Sequence, residues 1–225
     1  MQKLKPIVSS LRLSKAGKMP CPSWSLQAID TCPGSIGEDG ELVAACSGCY
    51  ATDGNYRFPN VKAPRIHNRE DWKRPEFEDD MVAALSKEDY FRWFDSGDMY
   101  SLALAKKLYR IMKRSPHCRF WLPTRMHKFD KFRPIINKMN RLKNVTVRRS
   151  SDDINGGRVR GISSTIFDAN HPSQAGNAFV CPAYSRDGKC GDCRACWDSS
   201  IPVIAYPQHG RKMAKVNRDI IAIAA

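Results

Sequence analysis

Seven cysteines carry the spacings that most constrain chemistry in this chain. Cys181, Cys190, Cys193 and Cys196 fall within sixteen residues as C-x8-C-x2-C-x2-C, with Gly188 and Gly191 between them to let the backbone wrap a compact object. Thiolates are soft ligands, and four of them suit zinc or an iron–sulfur cluster. Paired zinc knuckles separate two CxxC units by a longer spacer. A CxxCxxC run with one more distant Cys and an adjoining proline, here Pro182, is nearer to the wrapping of an iron–sulfur centre. We therefore expect a four-iron, four-sulfide (4Fe-4S) cluster on these four residues, with zinc as the alternative metal.

The second group is Cys32, Cys46 and Cys49, spaced thirteen and two residues apart. Three thiolates on a four-iron cluster leave one iron open, which a Lewis-acid or electron-donating site needs; a fourth thiolate closes it. Cys21, between Pro20 and Pro22, is either that fourth ligand or a packed thiol. The seven thiols accordingly imply one or two clusters. Cys118, beside His117 and ahead of an apolar stretch, reads as a buried thiol rather than a nucleophile. Nine cysteines is an odd number, and the opening MQKLKPIVSS has no long apolar stretch. Together these point to a reducing compartment and a cytoplasmic protein.

Charge adds a partner to the reading. Residues 101–149 hold fifteen Lys and Arg and one acid, Asp130, so this segment carries the whole formal net charge of +14. A basic middle suggests an anionic partner, nucleic acid being the commonest. Lys106, Lys107, Arg110, Lys113 and Arg114 lie off the apolar stripe of one helix and are the candidate phosphate contacts. The alternative is a solvated helix face. Trp93, Trp121, Tyr109 and Phe129 alternate with core positions and are expected to be buried rather than stacked on bases. No apolar run approaches the roughly 18–20 residues that cross a bilayer, so no membrane partner is expected.

The elements that must position these groups follow from periodicity. Residues 1–75 are punctuated by Pro, Gly and Cys and read as an irregular cluster-binding segment; 178–200 read as a second irregular Cys-rich insertion. Between them the pattern gives a strand at 90–94, a helix at 101–114, a strand at 119–122, a helix at 130–142 and a strand at 145–149. Further strands are expected within 159–167 and 201–206. This alternation predicts an α/β fold of parallel βαβ units, one domain spanning 1–225. Chemistry in such sheets collects at the strands' carboxyl ends. The residues there are polar: Asp95 to Asp98, Thr124 and Arg125, and Ser150 to Asp153. Arg148 and Arg149 are expected at the same rim. Asp95 and Asp98 could equally form an Asx-turn and helix cap ahead of Ser101.

Several strings occur together in order: Cys32-Pro33-Gly34, Cys46-Ser47-Gly48-Cys49-Tyr50-Ala51, Arg65-Ile66-His67-Asn68, Arg92-Trp93-Phe94-Asp95-Ser96-Gly97-Asp98 and Leu122-Pro123-Thr124-Arg125. In this the chain resembles the phage gene-product-88 family, itself similar to radical S-adenosylmethionine (SAM) enzymes. The resemblance implies a phage origin and a full or partial TIM-like parallel βα barrel with Cys-rich loop insertions at both ends. It implies an iron–sulfur protein, a radical SAM-like enzyme fed by an electron donor, with Asp95, Ser96, Gly97 and Asp98 as the SAM-contacting segment. Asp98 would then orient SAM, and Arg125 would bind its carboxylate or a substrate phosphate. The first spacing of the N-terminal group, thirteen residues rather than three, departs from the radical SAM pattern. The other reading is a non-catalytic, cluster- or zinc-stabilised nucleic-acid-binding protein.

Overall fold

A computed structural model describes residues 10–15, 17–210 and 212–213. Its framework is one sheet of seven strands: β1 (Ser23–Trp24), β2 (Tyr90–Trp93), β3 (Arg119–Thr124), β4 (Val145–Ser150), β5 (Ser163–Phe167), β6 (Phe179–Val180) and β7 (Val203–Pro207). Every pairing is parallel, and the spatial order is β1-β2-β3-β4-β5-β7-β6. The strands alternate with helices as expected for an α/β fold. Among the described residues the sheet does not close on itself, and β1 and β6 stand at its two edges.

The helices are α1 (Ala44–Ser47), α2 (Pro59–Asp71), α3 (Phe77–Ala84), α4 (Leu102–Arg114) and α5 (Arg133–Asn140). α4 starts where Ser101 Oγ accepts the Leu104 N–H at 3.2 Å, a cap that satisfies one of the orphan donors of the first turn. It buries Leu104, Ala105, Leu108, Ile111 and Met112. Each large side chain of that stripe contributes about 1.5–3 kcal/mol by leaving water. Pro134 sits in the first turn of α5, where its missing N–H is harmless. Residues 130–132, expected as helix, instead form a separate 3-10 turn ahead of it.

The core gathers Trp24, Phe77, Phe91, Trp93 and Phe120, all fully buried, around edge-on ring contacts such as Trp24 against Trp93 at 6.0 Å. Trp93 and Trp121 are thus buried, as their alternation suggests. Two expectations are corrected. The stretch 1–75 is not irregular throughout, because α2 occupies thirteen residues of it. The strand expected within 159–167 begins only at Ser163. No helix among the described residues is long and apolar enough to cross a membrane.

Candidate functional site

A cavity of about 810 Å³ lies at the carboxyl ends of the strands. Cys32, Cys46 and Cys49 line it, and so do Cys181, Cys190 and Cys196. Both cysteine groups therefore face one space, and Cys193 alone of the seven is not in its wall.

Backbone contacts explain how loops bring them there. The Cys32 N–H bonds to Ile29 O at 2.9 Å, with Ile29 itself in the left-handed region at φ 68°. Gly34 follows, and a Cβ there would stand 2.6 Å from Arg125 Cβ and 2.8 Å from Arg125 O. The Cys32-Pro33-Gly34 turn thus presses directly on the end of β3, and only glycine allows it. In the other group, the Cys181 N–H bonds to Ala205 O of β7 and the Cys190 N–H to Lys18 O, both at 2.9 Å. Asp187 and the glycines Gly188 and Gly191 turn the chain between Cys181 and Cys193 with positive φ.

The thiols act on one another electrically. Burial pushes Cys32 up to about 12, helped by the Asp98 carboxylate and by Cys46 and Cys49. Burial also raises Cys46, against the lowering influence of Arg125 and Lys128, and Cys49, where Arg125 and Lys212 act in the same lowering sense. Cys190 is raised by burial and then by Cys181 and Cys193; Cys196 is raised by burial to about 11 although Tyr206 hydroxyl lies 3.3 Å from its sulfur. Burial and the neighbouring sulfurs both oppose ionisation of these thiols, a cost that a cationic metal centre would offset. Among the described residues no group of three His, Cys, Asp or Glu side chains is arranged to hold a metal ion.

Cys21 does not join the N-terminal group. It is buried with Trp121 and Trp197, beside Cys196, and burial first, then the charge of Arg92 and Cys190, shape its titration. Cys118 is fully buried, as expected.

The segment from Asp95 to Asp98 also lines the cavity, but its polar atoms are largely committed to the protein. Asp95 accepts from Arg65 Nη2 at 2.6 Å and from Tyr56 hydroxyl at 2.7 Å. Ser96 Oγ accepts from Arg65 Nε at 2.7 Å and donates to Leu26 O at 2.6 Å. Gly97 has φ 80°, and a Cβ there would meet Leu26 Cβ at 2.5 Å. Asp98 accepts the Thr124 hydroxyl and the Met99 N–H on Oδ1, both at 2.7 Å, and the Arg125 N–H on Oδ2 at 2.8 Å. Burial nonetheless raises its carboxyl to about 6. Arg125 spends Nε and Nη2 on Asp152 Oδ1 and Ser151 O, at 3.1 and 2.7 Å.

The wall residues that escaped the sequence reading of the site include Tyr56, Arg65, Arg92 and Tyr206. Arg92 lies 4.4 Å over the Trp121 ring and 3.8 Å from Asp95, and its buried Nε has no hydrogen-bond partner. The only signal for Arg65 and Arg92 was their place inside the strings Arg65–Asn68 and Arg92–Asp98. Arg148 is a correction of another kind, because it is fully buried and does not line the cavity. Its guanidinium donates to the carbonyls of Ala195, Cys196, Asp198 and Ile201 at 2.6–3.0 Å.

The basic face of α4 is partly spent inside the molecule. Arg110 forks onto Glu78, with contacts of 2.8 and 2.5 Å, Arg114 reaches Asp79 at 2.7 Å, and Lys107 donates to the carbonyls of Trp72 and Arg74. Lys106 and Lys113 remain exposed.

A family model described as Gene product 88 matches residues 2–199. Neither a curated protein nor a solved structure matches the chain.

Proposed function

The chain belongs to the Gene product 88 family, and we propose that it is a phage iron–sulfur protein with radical SAM-like activity in the large cavity. The observation that carries the reading is that one cavity at the carboxyl edge of a parallel sheet is lined by cysteines of both groups. Cys32, Cys46 and Cys49 would hold a 4Fe-4S cluster, and Cys181, Cys190, Cys193 and Cys196 a second. Bound on three thiolates, the first would supply an open iron and, from an external electron donor, an electron for reductive cleavage of SAM.

The protein's own residues have separate tasks. Arg125 offsets thiolate charge at Cys46 and Cys49, and its Nη1 is left to bind a ligand carboxylate or phosphate. Asp98 fixes the ends of β2 and β3, and the second lone pair of Oδ2 is its remaining acceptor for an amino group. The cavity volume falls in the range of small-molecule sites.

Anaerobic purification with iron, acid-labile sulfide and zinc measured together tests the metal assignment; stoichiometric zinc without sulfide overturns it. SAM should then perturb the electron paramagnetic resonance spectrum of the reduced protein and be cleaved to 5′-deoxyadenosine. The second reading, a non-catalytic Fe–S or zinc-stabilised protein that binds nucleic acid in the host cytoplasm, draws on the internal saturation of Asp95, Ser96 and Asp98. A spectrum unmoved by SAM favours it.

A further inference from the structure

A second concavity, of about 460 Å³, is lined by His127, Arg133, Ile136, Asn137, Arg149 and Arg160. It shares no residue with the large cavity and contains no acid. Three guanidiniums in one groove repel one another unless an anion lies between them. Arg133 pairs with Asp130, and both are exposed, an ion pair of little worth in water. Arg149 Nη1 donates to the carbonyl of Arg160 at 2.8 Å, which ties the two arginine-bearing segments together. Neither Arg149 nor Arg160 has an ion-pair partner among the described residues. The arginine fork matches phosphate geometry better than any other anion-binding side chain.

The row that leads out of the groove decides between a small phosphate and a polymer. Arg133, Asn137 and Arg141 follow one another at intervals of four on α5 and its C-cap, so they share a face over about 12 Å. Lys138 and Lys143 beside them are exposed. One phosphate would occupy only a small part of a groove of about 460 Å³ and leave this row unmatched; a string of phosphates matches both. We propose that the groove and the α5 row seat the phosphodiester backbone of a nucleic-acid strand. The site is separate from the cluster cavity, and it moves the phosphate-binding face from α4, where Arg110 and Arg114 are held by Glu78 and Asp79, to α5 and the end of β4.

The test is fluorescence anisotropy of a labelled fifteen-nucleotide single strand with the full-length protein over a salt series. Binding should weaken linearly in log–log form, and Arg133→Glu with Arg160→Glu should lower affinity about tenfold or more and flatten the slope by about 0.7 for each phosphate no longer neutralised. Lys106→Glu with Lys113→Glu on α4 should change affinity by less than about twofold. Equal or larger effects from the α4 pair overturn the assignment, as does absence of binding at low salt. Inorganic phosphate at constant ionic strength should compete no better than chloride; full displacement would mark a seat for free phosphate esters and overturn the polymer. If the charge reversals fail to fold by circular dichroism, Arg133→Gln and Arg160→Gln give the same comparison, with the same direction expected.

Discussion

Arg148 donates its Nε–H to the carbonyl oxygen of Cys196 at 3.0 Å, so a buried cation in a central strand holds the backbone that presents a thiol to the large cavity. Its other nitrogens reach three more carbonyls of the same segment. Burial holds its titration below the ordinary arginine value, with only Tyr206, Cys196 and Asp198 charges in compensation. Lysine has one nitrogen and cannot replace a five-donor fork. Arg148→Lys should therefore cost about 3 kcal/mol or more of stability, as buried carbonyls lose their donors. On the proposed metal assignment it should also reduce the metal retained by Cys181, Cys190, Cys193 and Cys196 when the Cys32 group is disabled. Chemical denaturation with metal analysis of a Cys32→Ser background reads both; wild-type stability would sink the idea.

Gly34 and Gly97 make the loop approaches that Cβ atoms would block. Gly97→Ala combines a 2.5 Å clash with φ 80°, and should destabilise by about 1–3 kcal/mol, a drop of roughly 3–10 °C in Tm for a chain of this size. Gly34→Ala should fall in the same range through its clash with Arg125. Gly40→Ala, with φ 82° but open space around it, is the control, and should lose less. Thermal melts ranking Gly40→Ala worst would contradict the packing argument.

Asp98 sets a pH dependence. Burial raises its carboxyl from the ordinary 3.8 to about 6 in the folded protein, so between those values the folded state holds a proton that the unfolded chain has released. Its contribution is then most favourable below about pH 4 and declines as pH rises to about 6, by on the order of 3 kcal/mol at most. Asp98→Asn cannot titrate, and the difference in stability between wild type and variant should change across that window. Parallel stability curves from pH 4 to 7 would refute the assignment.

Cys118 is a thiol with nothing to ligate. It is fully buried, with burial raising it to about 12. Cys118→Ser should leave iron and sulfide unchanged and cost about 1–3 kcal/mol for burying a hydroxyl without a good partner. Loss of metal in this variant would redraw the ligand set.

The strand–helix alternation from Tyr90 to Ser150 was legible because its helices carry one apolar stripe and its strands are short apolar runs, alternating in β2 and buried at consecutive positions in β3 and β4. Leu104, Leu108, Ile111 and Met112 repeat at helical spacing, and Phe91 and Trp93 at strand spacing. α2 was hidden for the opposite reason: its buried residues are Arg65, Asn68 and Asp71, it contains Pro64, and Ile66 points outward. A helix that buries ion pairs leaves no hydrophobic stripe to read. The same cause put Arg148 at the rim, since an arginine after Val147 reads as the polar end of a strand until its carbonyl partners, some fifty residues later, are in place. The cysteine groups were found by spacing, but their facing a common cavity depends on the sheet order, which spacing does not encode.

That order has a consequence for how the protein is assembled. β7 lies between β5 and β6 although it follows both in the chain, and β6 has no sheet neighbour except β7 among the described residues. Chain order and spatial order therefore part at this edge: the last strand in sequence is an inner one, and β6 stands outside it. The segment holding Cys181 to Cys196 is the loop between β6 and β7, so pairing of these two strands is what brings the ends of that loop together. The register of β6 on β7, reinforced by the Cys181 N–H on Ala205 O, therefore sets how far apart the two ends of the thiol-bearing loop stand.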